Sequence, residues 1–314
     1  MKILSRISHL FFFFIAVNVI LPIFIVMSLG YLLSKYFTID LPSLSKLNFY
    51  VFIPVFMFYS LLIFKPGDRE IAMTVLFNIL LAVFTFLAMY GITRWLKFEP
   101  NLAAASTLAV MIFNSANYGI PVVELAYRGE GVAIQVITIT AMNILTYTLG
   151  ILISGGWSEW RRGAVTILKL PILYALALAW ILRAINFDMP DYFMTPLKWV
   201  ADGMMPIALL TLGAQLGHGG ISFRHPKELW ITIGARLLLA PVIAYLLITV
   251  MSFHGLLARV LFVSSAFPTA VATVLFGIEY DKEPTFAADV VFITTLLSAV
   301  TVTGAISLTT VLWP

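Results

Sequence analysis

The chain has 314 residues, of which 61% are hydrophobic and 11% charged, whereas about a quarter of an average soluble domain is charged. This composition excludes a soluble globular enzyme. The net charge of +4 is too small for a nucleic-acid partner and suits contact with anionic lipid headgroups. The chain has no cysteine, which excludes disulfides, thiolate metal sites and cysteine nucleophiles.

Charged and turn-forming clusters divide the chain into about ten apolar segments, each close to the roughly 20 residues that a spanning helix needs. Although Lys2 and Arg6 precede the first segment, its apolar run continues to Leu33, so we interpret it as a retained helix rather than an export signal. Long continuous runs favour an all-helical bundle over a barrel. The predicted spans are residues 10–35, 43–64, 70–95, 101–125, 131–154, 165–186, 195–217, 227–250, 255–278 and 286–312.

The two halves of the chain resemble each other in sequence. Lys46 lies eight residues before Pro54, and Lys198 lies eight residues before Pro206. Other matches follow in the same order at a similar offset. A repeat with an odd number of spans inserts its second copy upside down, which is a transporter architecture with a site between the halves. The predicted units are a five-helix repeat at 1–155, a central loop at 156–163 and an inverted five-helix repeat at 164–314.

Two predicted spans, the fourth and the ninth, contain polar residues beside a proline. Proline removes a backbone donor, and Asn and Ser side chains compete for backbone groups, so we expect both helices to break. Irregular backbone at membrane depth is tolerated only beside protein or a water-filled cavity, which points to a shared site. The predicted substrate-binding residues are Asn114, Asn117, Tyr118, Gly119, Pro121, Ser264, Ser265, Pro268 and Thr269.

A proline can also simply kink a packed helix. We favour this interpretation for the prolines that lack polar neighbours at symmetric positions, namely Pro22, Pro54, Pro171 and Pro241. For Pro121 and Pro268 we favour the site, because the half-helices that follow them would present partial positive charge to a carboxylate.

Three segments, taken in this order, resemble the auxin efflux carrier family of membrane transporters: 114–121 with the Glu-Gly at 130–131, then 206–214, then 265–270. The similarity covers essentially the whole chain. It implies that the fourth and ninth helices cross near their prolines, in a fold similar to bile-acid sodium symporters with both termini outside. It also implies transport of organic anions, in bacterial members often malonate, malate or other small carboxylates. Plant carriers have Asn-Pro-Asn at the first break. Here Ser115 and Ala116 lie between Asn114 and Asn117, and this departure weakens the case for an auxin-like substrate.

Ionisable residues inside a span are costly at bilayer depth and are therefore candidates for function. Asp202 is a candidate for proton or sodium coupling because it has no counterpart in the first half, with a helix cap as the alternative. Glu124 and Arg236 are further coupling candidates. The alternative for Glu124 is stabilisation by the helix dipole, and the alternative for Arg236 is a snorkelling position at the membrane surface. We assign Asp289 to helix structure and Asn143 to helix packing.

The resulting prediction is a secondary transporter of a small organic anion, a carboxylate such as malonate or malate, or an auxin-like weak acid. It would work by alternating access at the crossing of two broken helices. The alternatives are a sodium-coupled organic solute symporter of the bile-acid type and an intramembrane aspartyl enzyme, although the Gly-x-Gly-Asp partner of such an enzyme is absent. The sequence has no GxxxxGK[ST] motif, the loop that binds nucleotide phosphates. Transport driven by nucleotide hydrolysis at such a loop is therefore excluded.

The expected partners are the organic anion and membrane lipid, without nucleic acid, and a homodimer stays open. We expect no cofactor, while coupling to a proton, to sodium or to neither is undecided. No metal site is expected, because every histidine is near the end of a span. We expect an integral protein of a bacterial inner membrane with both termini outside, since the loops carry slightly more Lys and Arg on the side of the central loop. The histidines are His9, His218, His225 and His254.

Overall fold

The computed structural model describes residues 10–218 and 222–313. The interpretations that rest on Lys2, Arg6 and His9 lie outside the described residues. Helices joined by short connections make up nearly all of the described chain. They are α1 Leu10–Tyr36, α2 Leu41–Ile63, α3 Asp68–Trp95, α4 Pro100–Met111, α5 Gly119–Gly155, α6 Trp160–Leu168, α7 Pro171–Ala184, α8 Asp191–His218, α9 Pro226–Val250, α10 Gly255–Ser265, α11 Ala272–Glu279 and α12 Pro284–Leu312.

Seven helices within the described ranges are long and apolar enough to cross a membrane, namely α1, α2, α3, α5, α8, α9 and α12. The pair α6 and α7, bent by 50°, gives an eighth if it counts as one span. The predicted all-helical membrane architecture is therefore confirmed, although the number of uninterrupted spans is lower than the predicted ten.

The lower number has a local cause at the two predicted breaks. The helices α4, α10 and α11 have 12, 11 and 8 residues. At 1.5 Å per residue, even α4 extends only about 18 Å, short of the roughly 30 Å hydrocarbon core. Helix α5 runs through a backbone kink at Arg128, where φ is 53°, so it joins the end of the predicted fourth span to the predicted fifth.

Three of the prolines assigned to kinks follow widened helical turns. Pro22, Pro54 and Pro241 each lie two residues after a π-helical turn, at Ala16–Ile20, Asn48–Phe52 and Ala235–Leu239. A proline ring clashes with the preceding turn and lacks an N–H, and a π turn is one way for a helix to absorb such a defect. These helices therefore continue past their prolines, whereas Pro171 begins α7.

The helices pack as two groups. In one group α8 packs against α1 and α2, and α2 also packs against α7. Helices α3, α4, α5 and α9 to α12 form the other group, in which α5 contacts α1 and α2 of the first. Within the first group, α1 and α8 approach so closely that a Cβ atom at Gly30 would overlap the backbone of Leu210. A Cβ at Gly213 would overlap the backbone of Met27 in the same way. Such close backbone approach at small residues is typical of helix packing in membranes.

Helix α6 begins inside the predicted central loop at 156–163. Its residues Trp160, Val165 and Leu168 are exposed, and Arg161 lies against the Trp160 ring with its guanidinium 5.5 Å from the ring centroid. An exposed aromatic beside basic residues is typical of a membrane–water interface. The predicted central loop therefore contains the start of a short helix with an exposed apolar face rather than only irregular backbone.

Candidate functional site

The two breaks meet in space and pair with each other. The backbone N–H of Asn114 donates to the carbonyl of Pro268 at 2.8 Å, and the N–H of Ala270 donates to the carbonyl of Ile112 at 3.0 Å. Phe113 and Thr269 thus form an antiparallel β-bridge between two non-helical segments. Backbone groups that the breaks remove from their helices are satisfied by this pairing, as they must be away from water. Both predicted breaks are confirmed, and they lie side by side.

Asn114 organises the start of α5. Its carbonyl accepts from the N–H of Gly119 at 3.0 Å, and its side-chain oxygen accepts from the N–H of Tyr118 at 3.4 Å. Tyr118 is fully buried, and its hydroxyl accepts a hydrogen bond from Ser298 at 2.8 Å. The first predicted cluster therefore contributes both to the site and to the wall behind it.

Gln135 links the two breaks from the middle of α5. Its side-chain nitrogen donates to the carbonyl of Ser115 at 2.7 Å, and its oxygen accepts from the hydroxyl of Ser264 at 2.7 Å. The sequence marks Gln135 only as an amide inside a span, since nothing in the chain order shows which break it reaches. Its bonds hold the first segment against the second.

The hydroxyl groups of the second break bond to protein acceptors. The hydroxyl of Thr269 donates to the carbonyl of Ala109 at 2.7 Å, and that of Ser265 donates to Phe262 at 2.6 Å. Both residues are buried. In this conformation they support the crossing rather than face open space.

A cavity of about 370 Å³ lies against the crossing. Of the predicted substrate-binding residues, Asn114 and Asn117 line it. The other seven are all described and lie outside its lining, in the helix starts and the buried wall. Further polar lining residues come from α2, α5 and α8: Ser45, Lys46, Asn48, Asn143, Thr146, Thr211 and Gln215.

The amides of the cavity are incompletely hydrogen-bonded. Asn48 donates to the side-chain oxygen of Asn117 at 3.0 Å, and Gln215 donates to the hydroxyl of Ser45 at 3.2 Å. The remaining side-chain oxygens of Asn48 and Gln215 are buried and have no partner among the described residues. A buried polar atom without a partner is costly, so these two oxygens are prepared to accept a hydrogen bond from water or from a donor group of a ligand.

Lys46 is the one charged residue among the described residues that line the cavity. Its side chain is exposed, so the ammonium group retains solvent access. The sequence uses Lys46 only as a marker of the internal repeat. Its place beside the cavity depends on the rotation of α2 about its axis, which the apolar pattern of a helix that is hydrophobic on most faces fixes only loosely.

The three coupling candidates do not line the cavity. The carboxylate of Asp202 is 59% exposed and pairs with Lys198 at 2.6 Å, one turn earlier on α8. Glu124 is half-buried on α5, and Arg236 is buried within α9. The geometry gives Asp202 and Glu124 no contact with an anion in this cavity, and their coupling role stays a prediction.

Two residues assigned to helix structure lie in different surroundings. Asn143 lines the cavity, and its amide donates to the carbonyl of Ile139 at 2.9 Å, so its assignment to packing alone stays a prediction. Asp289 is buried, and its carboxylate accepts from the backbone N–H groups of Ser222 and Phe223, both at 3.1 Å. Asp289 thus anchors the connection before α9. Within the described ranges, His, Asp and Glu form no cluster that could hold a metal ion.

Comparison with known proteins identifies the chain at the family level. A family model described as membrane transport protein matches residues 15–164 and 164–306. The chain belongs to this family. It is the auxin efflux carrier family that the sequence motifs resemble, so this resemblance is confirmed. Together with the apolar helices, membership shows an integral membrane transport protein.

Three relatives match over most of their length. An uncharacterised transporter of Methanothermobacter thermautotrophicus is 25% identical over 292 residues, which cover 90% of this chain and 94% of the relative. An uncharacterised transporter of Methanocaldococcus jannaschii is 23% identical over 304 residues, covering 90% and 96%. A Rhizobium meliloti protein, provisionally named a malonate transporter, is 24% identical over 309 residues, covering 93% and 95%. All three are named as transporters.

Proposed function

We propose that this membrane transport protein is a secondary transporter of a small dicarboxylate such as malonate or malate, and not an enzyme. The substrate binds in the cavity beside the two broken helices, and alternating access carries it across the membrane. We further propose two inverted five-helix repeats, a bacterial inner-membrane location and both termini outside. The central connection at 156–170 is then cytoplasmic.

The observation that carries this proposal is the chemistry of the cavity lining. Amides, hydroxyls and Lys46 face the cavity, and its described lining contains no Asp or Glu. Hydrogen-bond donors and one cation stabilise a carboxylate, while the absence of a carboxylate from the lining avoids repulsion. Helices α5 and α11 begin beside the cavity, and their N-termini add partial positive charge.

The position of the cavity supports alternating access. Its lining comes from both helix groups, with α2, α7 and α8 on one side and α5, α11 and the two broken segments on the other. A rigid-body movement between the groups would close the cavity on one face and open it on the other. The lining residues Thr146, Ile172 and Gln215 lie toward the helix ends on the side of the central connection, so this conformation would face the cytoplasm.

Malonate is the first ligand to test, because one relative is provisionally named for its transport and two carboxylates suit a lining with several amides. Purified protein would be melted in the presence of malonate, malate, succinate, acetate and the neutral diamide malonamide. Binding raises the free energy of unfolding by RT ln(1 + [L]/Kd), so a ligand at 100 times its Kd adds about 2.7 kcal/mol. The melting temperature rises accordingly.

We expect a dicarboxylate to raise the melting temperature by several degrees, with malonamide inactive at the same concentration. Potassium chloride at equal ionic strength separates this effect from general screening. A shift by malonamide equal to that by malonate, or no shift by any carboxylate, would contradict an anion site in the cavity.

A further inference from the structure

Arg236 is buried at the crossing of the two broken helices. It lies in the π-helical turn of α9 and is only 1% exposed. Its guanidinium donates to the carbonyl of Val110 at 2.6 Å and to the carbonyl of Ser265. It also lies over the ring of Phe113, 5.2 Å from the ring centroid.

The two carbonyls belong to the last turns of α4 and α10, the helices that end at the breaks. The last carbonyls of a helix have no partner inside that helix and carry about half a negative charge in sum. One guanidinium therefore satisfies and neutralises two helix ends at once. Because Val110 and Ser265 belong to different halves of the chain, Arg236 ties the first break to the second.

Apart from these two helix ends, the described residues give the charge of Arg236 no counter-charge. None of the ion pairs among the described residues includes it, and its Nε atom has no hydrogen-bond partner there. A buried cation without a carboxylate is costly unless another negative charge lies near. Phe113 contacts Arg236 and also lines the cavity, so one aromatic side chain separates the guanidinium from the space in which we place the anion.

We propose that Arg236 is a positioning and charge-selecting residue, whose buried guanidinium holds the two breaks together and has the transported anion as its counter-charge across Phe113. This inference rests on the proposed anion site and deepens it. The aromatic ring keeps the guanidinium from pairing directly with the substrate, which limits how tightly the anion is held. The cation is part of the protein, so it favours anions over neutral molecules of the same shape.

The test compares Arg236→Lys, which keeps the charge, with Arg236→Gln, which keeps a hydrogen-bond donor. Affinities for malonate are measured well below the melting temperature of each protein. We expect Arg236→Lys to bind malonate within about threefold of wild type and Arg236→Gln to bind it at least about tenfold more weakly, the equivalent of 1.4 kcal/mol. Arg259→Gln serves as the matched control, because Arg259 also donates to a carbonyl, that of Trp313 at 2.7 Å, away from the cavity.

Equal malonate affinities of the Lys and Gln variants, beside a wild type that binds malonate, would contradict the role of Arg236 alone. A wild type that binds no carboxylate would instead contradict the proposed function. If the Gln variant does not fold, Arg236→Ala is melted with added guanidinium chloride or with urea at the same concentration. The proposal is supported if guanidinium, and not urea, restores the melting temperature and the stabilisation by malonate. It is overturned if the variant melts and responds to malonate equally in the two solutes.

Discussion

In the proposed site, Lys46 and the amides act over different ranges. The exposed ammonium of Lys46 attracts an anion from a distance, and this effect weakens with salt. Asn117, whose side-chain oxygen accepts from Asn48, can donate from its side-chain nitrogen only within hydrogen-bond distance and therefore fixes the orientation of the ligand. A lysine at a solvated position binds without a large desolvation cost, which keeps release fast enough for transport.

Asn117→Ala should weaken malonate binding by roughly 10-fold to 150-fold, because a hydrogen bond to a charged ligand typically contributes about 1.5 to 3 kcal/mol. Isothermal titration at constant salt measures the change. Asn78→Ala is the matched control, since Asn78 is a buried amide on α3 that bonds to Thr74 and lies outside the cavity lining. Equal affinities of the two variants would move the site away from the breaks.

At this scale the sequence predicts the residues that lie on the broken segments and misses those that face them. Asn114 and Asn117 are recognisable because amides beside Gly119 and Pro121 are incompatible with a regular helix. Asn48 and Gln215 lie inside helices with ordinary neighbours. Their contribution comes from the packing of α2 and α8 against the crossing, which a single sequence does not encode locally.

Among the elements, the broken helices were predictable because their cause is local. Proline, glycine and amide side chains remove helical hydrogen bonds wherever they occur together. The π turns before Pro22, Pro54 and Pro241 were not predicted, because a helix can also kink or end at a proline. The partner of each break was predictable only from the repeat and from the family resemblance, since the pairing joins residues more than 150 positions apart.

The contact between α1 and α8 gives a test at the scale of elements. Gly213→Ala would place a methyl group against the backbone of Met27, which cannot move aside like a side chain. Overpacking of this kind costs about 1 to 3 kcal/mol, so we expect the melting temperature to fall by roughly 1.5 to 4.5 °C in a chain of this length.

The matched control is Gly234→Ala in α9, where a Cβ atom would meet open space. Alanine has the higher helix propensity, so this variant should melt at or slightly above the wild-type temperature. Differential scanning fluorimetry measures the melting temperatures of both variants and of the wild type. Equal melting temperatures would show that α1 and α8 are further apart than described.

For the whole molecule, the proposed inverted repeat makes a prediction about sidedness. With ten crossings, the connection after α2 and the kink between the halves of α5 lie on one face, while the connections after α3 and α5 lie on the other. Single cysteines in this cysteine-free chain report their side through labelling by a membrane-impermeant maleimide. We expect cysteines replacing the exposed residues Gly67 and Glu130 to react from one side, and those replacing Glu99 and Ser158 from the other.

Glu99 and Glu130 reacting from the same face would mean that α4 and the first part of α5 do not cross together. The first broken helix would then be re-entrant, which would contradict the ten-crossing inverted repeat. The cavity chemistry would be unaffected by that result, so the labelling tests the architecture independently of the ligand.

Uptake of radiolabelled malonate into proteoliposomes tests the central claim most directly. Wild-type protein should accumulate or equilibrate malonate, and Lys46→Gln should lower the initial rate at limiting malonate by about tenfold at low salt, with a smaller deficit at high salt. Lys35→Gln is the control, because Lys35 lies on α1 against Tyr31 and outside the cavity lining. Equal loss of uptake in the two lysine variants, or wild-type uptake no faster than in protein-free vesicles, would contradict a carboxylate site at the crossing.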